Sequence, residues 1–308
     1  MKKFREDNPW FYKPAVKSFV LLSLLVLGYF ATVIAVNLYM LFANSDIELN
    51  QSLYFQFAFF EIIPVIIYLF IYKGDKKIKD ILNVRKISFK NFVYIVLLQI
   101  FMSPLILLVN YVTTLLWGAE TSQAIGSMDI SFFEMFFLIG VLGPITEEVI
   151  FRGVVFDITK KENLVVMAII SGFAFGAFHM NLNQFSYAFI LGYVFTIYVY
   201  YTGSIFAAII PHIIVNGWSV ILLFVSKWIT TLDIDGLGIE SSVDTLGNTD
   251  LYFDLSMFLS LLFISVICIS VYYVIFVHFK KYNKEKNHFS KLNRIRNISL
   301  DSLDDFDF

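Results

Sequence analysis

Apolar residues in this chain come in blocks, not at the spacing of an amphipathic helix or strand. Eight blocks stand out, at about 16–43, 53–72, 92–117, 132–156, 164–180, 185–201, 204–226 and 256–279. Crossing a bilayer takes roughly 20 consecutive, mostly apolar residues. Inside lipid only helices and closed barrels satisfy every backbone group. Continuous runs without period-two alternation select helices. The pattern predicts an all-α polytopic membrane protein with about eight transmembrane helices. The blocks at 164–180 and 185–201 are the shortest. At ~1.5 Å per residue each covers about 25 Å, enough for a short span or half of a re-entrant pair.

The polar segments between the blocks alternate in charge. Segment 73–90 carries Lys73, Lys76, Lys77, Lys79, Arg85, Lys86 and Lys90, segment 157–163 carries Lys160 and Lys161, and the tail opens with Lys280 and Lys281. Segments 44–52, 118–131 and 181–184 hold no Lys or Arg, and 227–255 holds only Lys227. Basic loops stay in the cytosol. Both termini are therefore expected there, and 1–308 reads as a single membrane domain with a flexible cytosolic tail at 280–308. The apolar stretch 16–43 is longer than the roughly 7–15 residues of a signal-peptide core. It reads as an uncleaved anchor helix.

Composition agrees. Hydrophobic residues make up 58% and charged residues 16%, against about 25% charged in soluble domains. The lone Cys268 excludes an internal disulfide. A net charge of −2 gives no footprint for nucleic acid, and no nucleic-acid partner is expected. The expected surroundings are the lipid bilayer of the cell membrane.

Ionisable residues inside apolar blocks carry the information about function, because each costs a few kcal/mol at mid-bilayer. Glu147, Glu148 and Arg152 lie within the fourth block, just after Gly143-Pro144. Glu148 and Arg152 are four apart and share a helix face. Glu147, about 100° round the helix, is left without that partner and is a candidate general base. Gly143-Pro144 either opens a new helical segment or kinks the helix. Phe175 and His179 are four apart in the fifth block, and His212 and Asn216 four apart in the seventh. A carboxylate and a histidine can position and deprotonate water, and a histidine with an asparagine can stabilise an oxyanion. Two histidines and a carboxylate are also a zinc constellation, on Glu147, His179 and His212. No cofactor is expected to be obligatory, and a divalent metal such as zinc is the alternative. The chain has no His-Glu-x-x-His helix and no Gly-x-Ser-x-Gly elbow.

These elements, in this order, resemble the CAAX protease and bacteriocin-processing (CPBP, or Abi) family, which includes the eukaryotic type II CAAX prenyl endopeptidase. The family pattern is Glu-Glu-x-x-x-Arg, Phe-x-x-x-His and His-x-x-x-Asn or Asp. Here it reads Glu147-Glu148 with Arg152, Phe175 with His179, and His212 with Asn216. The resemblance covers about 140–220, within a catalytic core at about 132–226. It implies an all-helical intramembrane endopeptidase acting on a membrane-associated or lipid-attached peptide. By the same resemblance Glu147 and His179 activate water, and His212 and Asn216 form the oxyanion hole. Glu148, Arg152 and Phe175 support the site. The alternatives are a non-catalytic immunity or signalling scaffold and, below it, a transporter. By residue count His179 lies about 22 Å from the basic end of its helix, at odds with the other two unless that helix is tilted or begins deeper, and Glu147 and His212 lie about 12–14 Å from theirs. That depth predicts a site opening towards the cytosol.

Overall fold

The computed structural model describes residues 8–43, 54–119, 123, 125–128, 130–231 and 254–284. The acidic end of the tail and most of the 227–255 loop lie outside the described residues. Among the described residues there are helices and turns but no strand. The chain is an all-α polytopic membrane protein, and five of its helices are long and apolar enough to cross a bilayer.

Each apolar block forms a helix. We number the long ones α1 (Pro14–Ala43), α2 (Gln56–Tyr72), α3 (Phe89–Trp117), α4 (132–159), α5 (Leu164–Phe178), α6 (Leu182–Thr202), α7 (Phe206–Thr231) and α8 (Leu255–Lys284). Polar residues set the starts. Ser88, Ser131, Asn163 and Asn181 each accept a hydrogen bond from a backbone N–H three residues on, as N-caps do. Gly203, at φ 68°, ends α6 in the left-handed region that glycine adopts without strain.

Two helices change type along their length. In α4, π-helical turns at Phe136–Leu142 and Val149–Val155 flank an α-helical turn at Gly143–Glu148. In α2 a π-helical stretch, Gln56–Ile62, precedes an α-helical one, Ile63–Tyr72. Pro144 and Pro64 each stand in the first two positions of the α-helical turn that follows. Proline has no N–H to give the carbonyl four residues back. A wider π-turn just before it absorbs that mismatch, and such turns recur at functional sites. Gly143-Pro144 thus opens a new segment within one continuous helix.

The helices present two distinct ends. At one end lie the basic segments. Phe11 stacks on Tyr72 at 5.0 Å, Lys76 pairs with Asp157 at 3.2 Å, and the amides of Asn91 and Asn283 exchange hydrogen bonds. Burial alone would raise the Asp157 carboxyl, but Lys160 and Lys76 outweigh it and hold the group below the usual carboxylate range. At the opposite end Tyr54 donates to Glu134, Asn183 to the Gly118 carbonyl, and Tyr111 to the Asp254 carbonyl.

α5 and α6 form a close antiparallel pair because their contact is made by glycines. A methyl group on Gly192 would stand 2.8 Å from the Gly172 Cα and 3.0 Å from the Phe175 Cβ. Gly192→Ala is expected to cost about 1–3 kcal/mol, the range for overpacking. Thermal unfolding in detergent measures this, and a parental melting temperature would contradict the close packing.

Candidate active site

The α-helical turn of α4 carries Glu147 and Glu148 to different surroundings. Glu148 is fully buried and points into the helix bundle. Its Oε1 accepts from Arg152 Nη1 at 3.0 Å and lies 2.8 Å from His212 Nδ1 on α7. Arg152, equally buried, donates from Nη2 to the Gly192 carbonyl on α6 at 3.0 Å. Its guanidinium lies 4.6 Å from the centre of the Phe175 ring on α5. One ion pair therefore joins four helices, and Phe175 forms its aromatic floor. Both ions are out of water, so the pair depends on these polar and aromatic neighbours to offset desolvation.

Glu147 faces a cavity. Its side chain is 14% exposed, and Oε2 has no hydrogen-bond partner. The sequence leaves Glu147 alone on its helix face, but the fold brings His212 Nε2 to 3.6 Å from Oε2. That separation is too long for a direct hydrogen bond. His212 is thus held through Nδ1 by Glu148 and turns Nε2 towards Glu147. His179 ends α5, with Nδ1 2.8 Å from the Phe175 carbonyl. A proton on Nδ1 leaves Nε2 as the other polar atom of that ring. Asn216 donates from Nδ2 to the Ile139 carbonyl at 3.3 Å, which leaves its Oδ1 and a second N–H. Glu147, His179 and Asn216 line one cavity of about 410 Å³, and His212 stands behind Glu147. All three sequence motifs therefore meet at one place.

Comparison with known proteins agrees. Residues 129–218 match the family model described as type II CAAX prenyl endopeptidase Rce1-like. That segment holds every residue of the three motifs. Over those residues the chain is similar to that family. A relative from Bacillus subtilis (strain 168), named "Putative membrane peptidase YdiL", is 30% identical over 105 residues. The aligned part is 34% of this chain and spans 43% of that relative's length. No solved structure matches.

A further carboxylate reaches the cavity from outside the matched segment. Glu61, in the π-helical stretch of α2, is 1% exposed and lines the same cavity. The Thr146 hydroxyl, next to Glu147 in the chain, hydrogen-bonds Glu61 Oε2. The motif reading missed Glu61, although the signal was present. A carboxylate inside the apolar block 53–72 carries the same desolvation cost that singled out Glu147.

Among the described residues no three His, Cys, Asp or Glu side chains are grouped to hold one ion. Glu147, His179 and His212 as placed are not grouped to hold one ion. The cavity wall extends to the end opposite the basic segments. Its wall includes Gln56, Ile125, Met128, Met180 and Gln184, which lie at the opposite end of the bundle. His179, at the end of α5, sits towards that same end.

Proposed function

We propose that this chain is an intramembrane endopeptidase of the CPBP type. It hydrolyses a peptide bond in a membrane-associated or lipid-attached peptide without a covalent intermediate. The observation that carries this reading is the arrangement around Glu147. Glu147, whose buried Oε2 has no hydrogen-bond partner, lines one cavity with His179 and Asn216.

Glu147 removes a proton from a water held between it and His179. The resulting hydroxide attacks the scissile carbonyl, whose π electrons move onto oxygen. Asn216 donates an N–H to that oxyanion, and so does His212 whenever Nε2 carries a proton. Glu148, fixed by Arg152, orients the His212 ring and stabilises the imidazolium form. The intermediate collapses, the C–N bond breaks, and Glu147 returns its proton to the leaving amine.

Comparative peptidomics of membranes carrying the parent chain or Glu147→Gln tests the reading. A peptide that accumulates uncleaved only in the variant names the substrate. Identical peptide profiles at equal protein level would favour the scaffold reading instead. For the metal question, cleavage by the purified chain is expected to survive chelation. Stoichiometric zinc whose removal abolishes cleavage would reverse that assignment.

A further inference from the structure

Two features of the fold, taken together, say from which side a substrate reaches Glu147. First, the basic end is closed beneath the site. Gly153 on α4 packs directly on Leu82, where a methyl group would stand 2.5 Å from Leu82 Cδ2. Asn83 donates from Nδ2 to the Arg152 carbonyl at 3.2 Å and accepts from the Ile205 N–H at 2.9 Å. The Ser204 hydroxyl donates to the Arg85 carbonyl. Segment 78–88 thus ties α4 to the start of α7. Ile150, Arg152 and Val154 between it and Glu148 are fully buried.

Second, the cavity leads the other way. Met180, which lines it, is 66% exposed just beyond the end of α5, and Gln56 is exposed near the start of α2. Tyr29 on α1 is 42% exposed and forms part of the same wall, next to apolar surface that faces lipid. The ends bearing Gln56 and Met180 are next to loops that lack Lys and Arg.

Since basic loops are retained in the cytosol, we propose that the Glu147 cavity is served from the extracytoplasmic side. Its substrate is a peptide segment presented at the outer leaflet: an exported peptide, or the outward-facing part of an anchored one. A lipid-modified tail on the cytosolic leaflet would meet the closed end. Water reaches Glu147 by the same route, so hydrolysis is coupled to the outer solution. The identity of the cargo as a cleavable peptide rests on the reading under Proposed function, whereas the side of access rests on the fold and the charge pattern alone.

A membrane-impermeant maleimide tests the side directly, in the full-length chain with Cys268→Ser. Met180→Cys is expected to label in intact cells, and Lys86→Cys only after permeabilisation. Gln184→Cys, a second cavity position, serves if Met180→Cys does not accumulate. Labelling of Lys86→Cys in intact cells, with the cavity positions protected, would overturn the proposal and leave the protease reading standing. The cut site of any peptide that accumulates with Glu147→Gln is the second readout. A cut in an outward-facing segment agrees, and a cut in a cytosolic segment refutes outer access. A lack of any Glu147-dependent peptide would instead remove the protease reading, whatever the labelling shows.

Discussion

Glu147→Gln is expected to lower kcat by roughly 10²–10⁴-fold, the contribution of a positioned general base. The same substitution is expected to leave the fold almost untouched. Gln has the same shape, and the Oε2 it replaces makes no hydrogen bond. The side chain lies at a cavity wall, not in close packing. The cost to stability is expected to stay within about 0.5 kcal/mol, as for substitutions away from buried networks. KM is expected to change little, because the lost step acts on the water and not on peptide binding. Purified parent and variant, compared on the peptide found by peptidomics, give the answer. Loss of activity together with a lowered melting temperature would move Glu147 from a catalytic to a structural role. Retained activity would end the glutamate mechanism.

How much of this was legible in the sequence depends on the range of the interaction. The eight helices follow from apolar block length, and the structure places all of them within a few residues of the pattern. The Glu148–Arg152 pair follows from helical spacing, because both residues are on α4. The Glu148–His212 contact does not, because it joins residues 64 apart in sequence on different helices. Spacing said that His212 and Asn216 share a face, but not that His212 is tied to one carboxylate and turned towards the other. The π-turns of α2 and α4 leave no mark in the hydrophobic pattern, since the apolar blocks run through them without a break. Glu61 was readable by cost but belongs to no spaced pair, so spacing gave no reason to select it. The direction of the cavity was not legible for a different reason. Counting along one helix gives depth only, whereas the opening depends on where several helices diverge.

Arg152→Ala is expected to destabilise the chain by about 3–5 kcal/mol, the cost of leaving a buried charge without its partner. Glu148 would keep its place at full burial and lose its nearest cation. The Gly192 carbonyl would lose its donor, and Phe175 the guanidinium over its ring. Glu148→Ala is expected to cost a similar amount and also to free His212 Nδ1. The two effects share one ion pair, so they are not expected to add. Glu148→Gln with Arg152→Met removes both charges and keeps the volume, and such replacements are often neutral or stabilising. The double variant is therefore expected to melt near the parent. It is still expected to be impaired in cleavage, because His212 has lost the carboxylate that orients it. Abundance in membranes and thermal unfolding in detergent give the stability arm, and peptide cleavage gives the other. If Arg152→Ala and Glu148→Ala both accumulate and melt like the parent, the pair does not hold these helices together. If the double variant cleaves at the parental rate, Glu148 has no part in orienting His212.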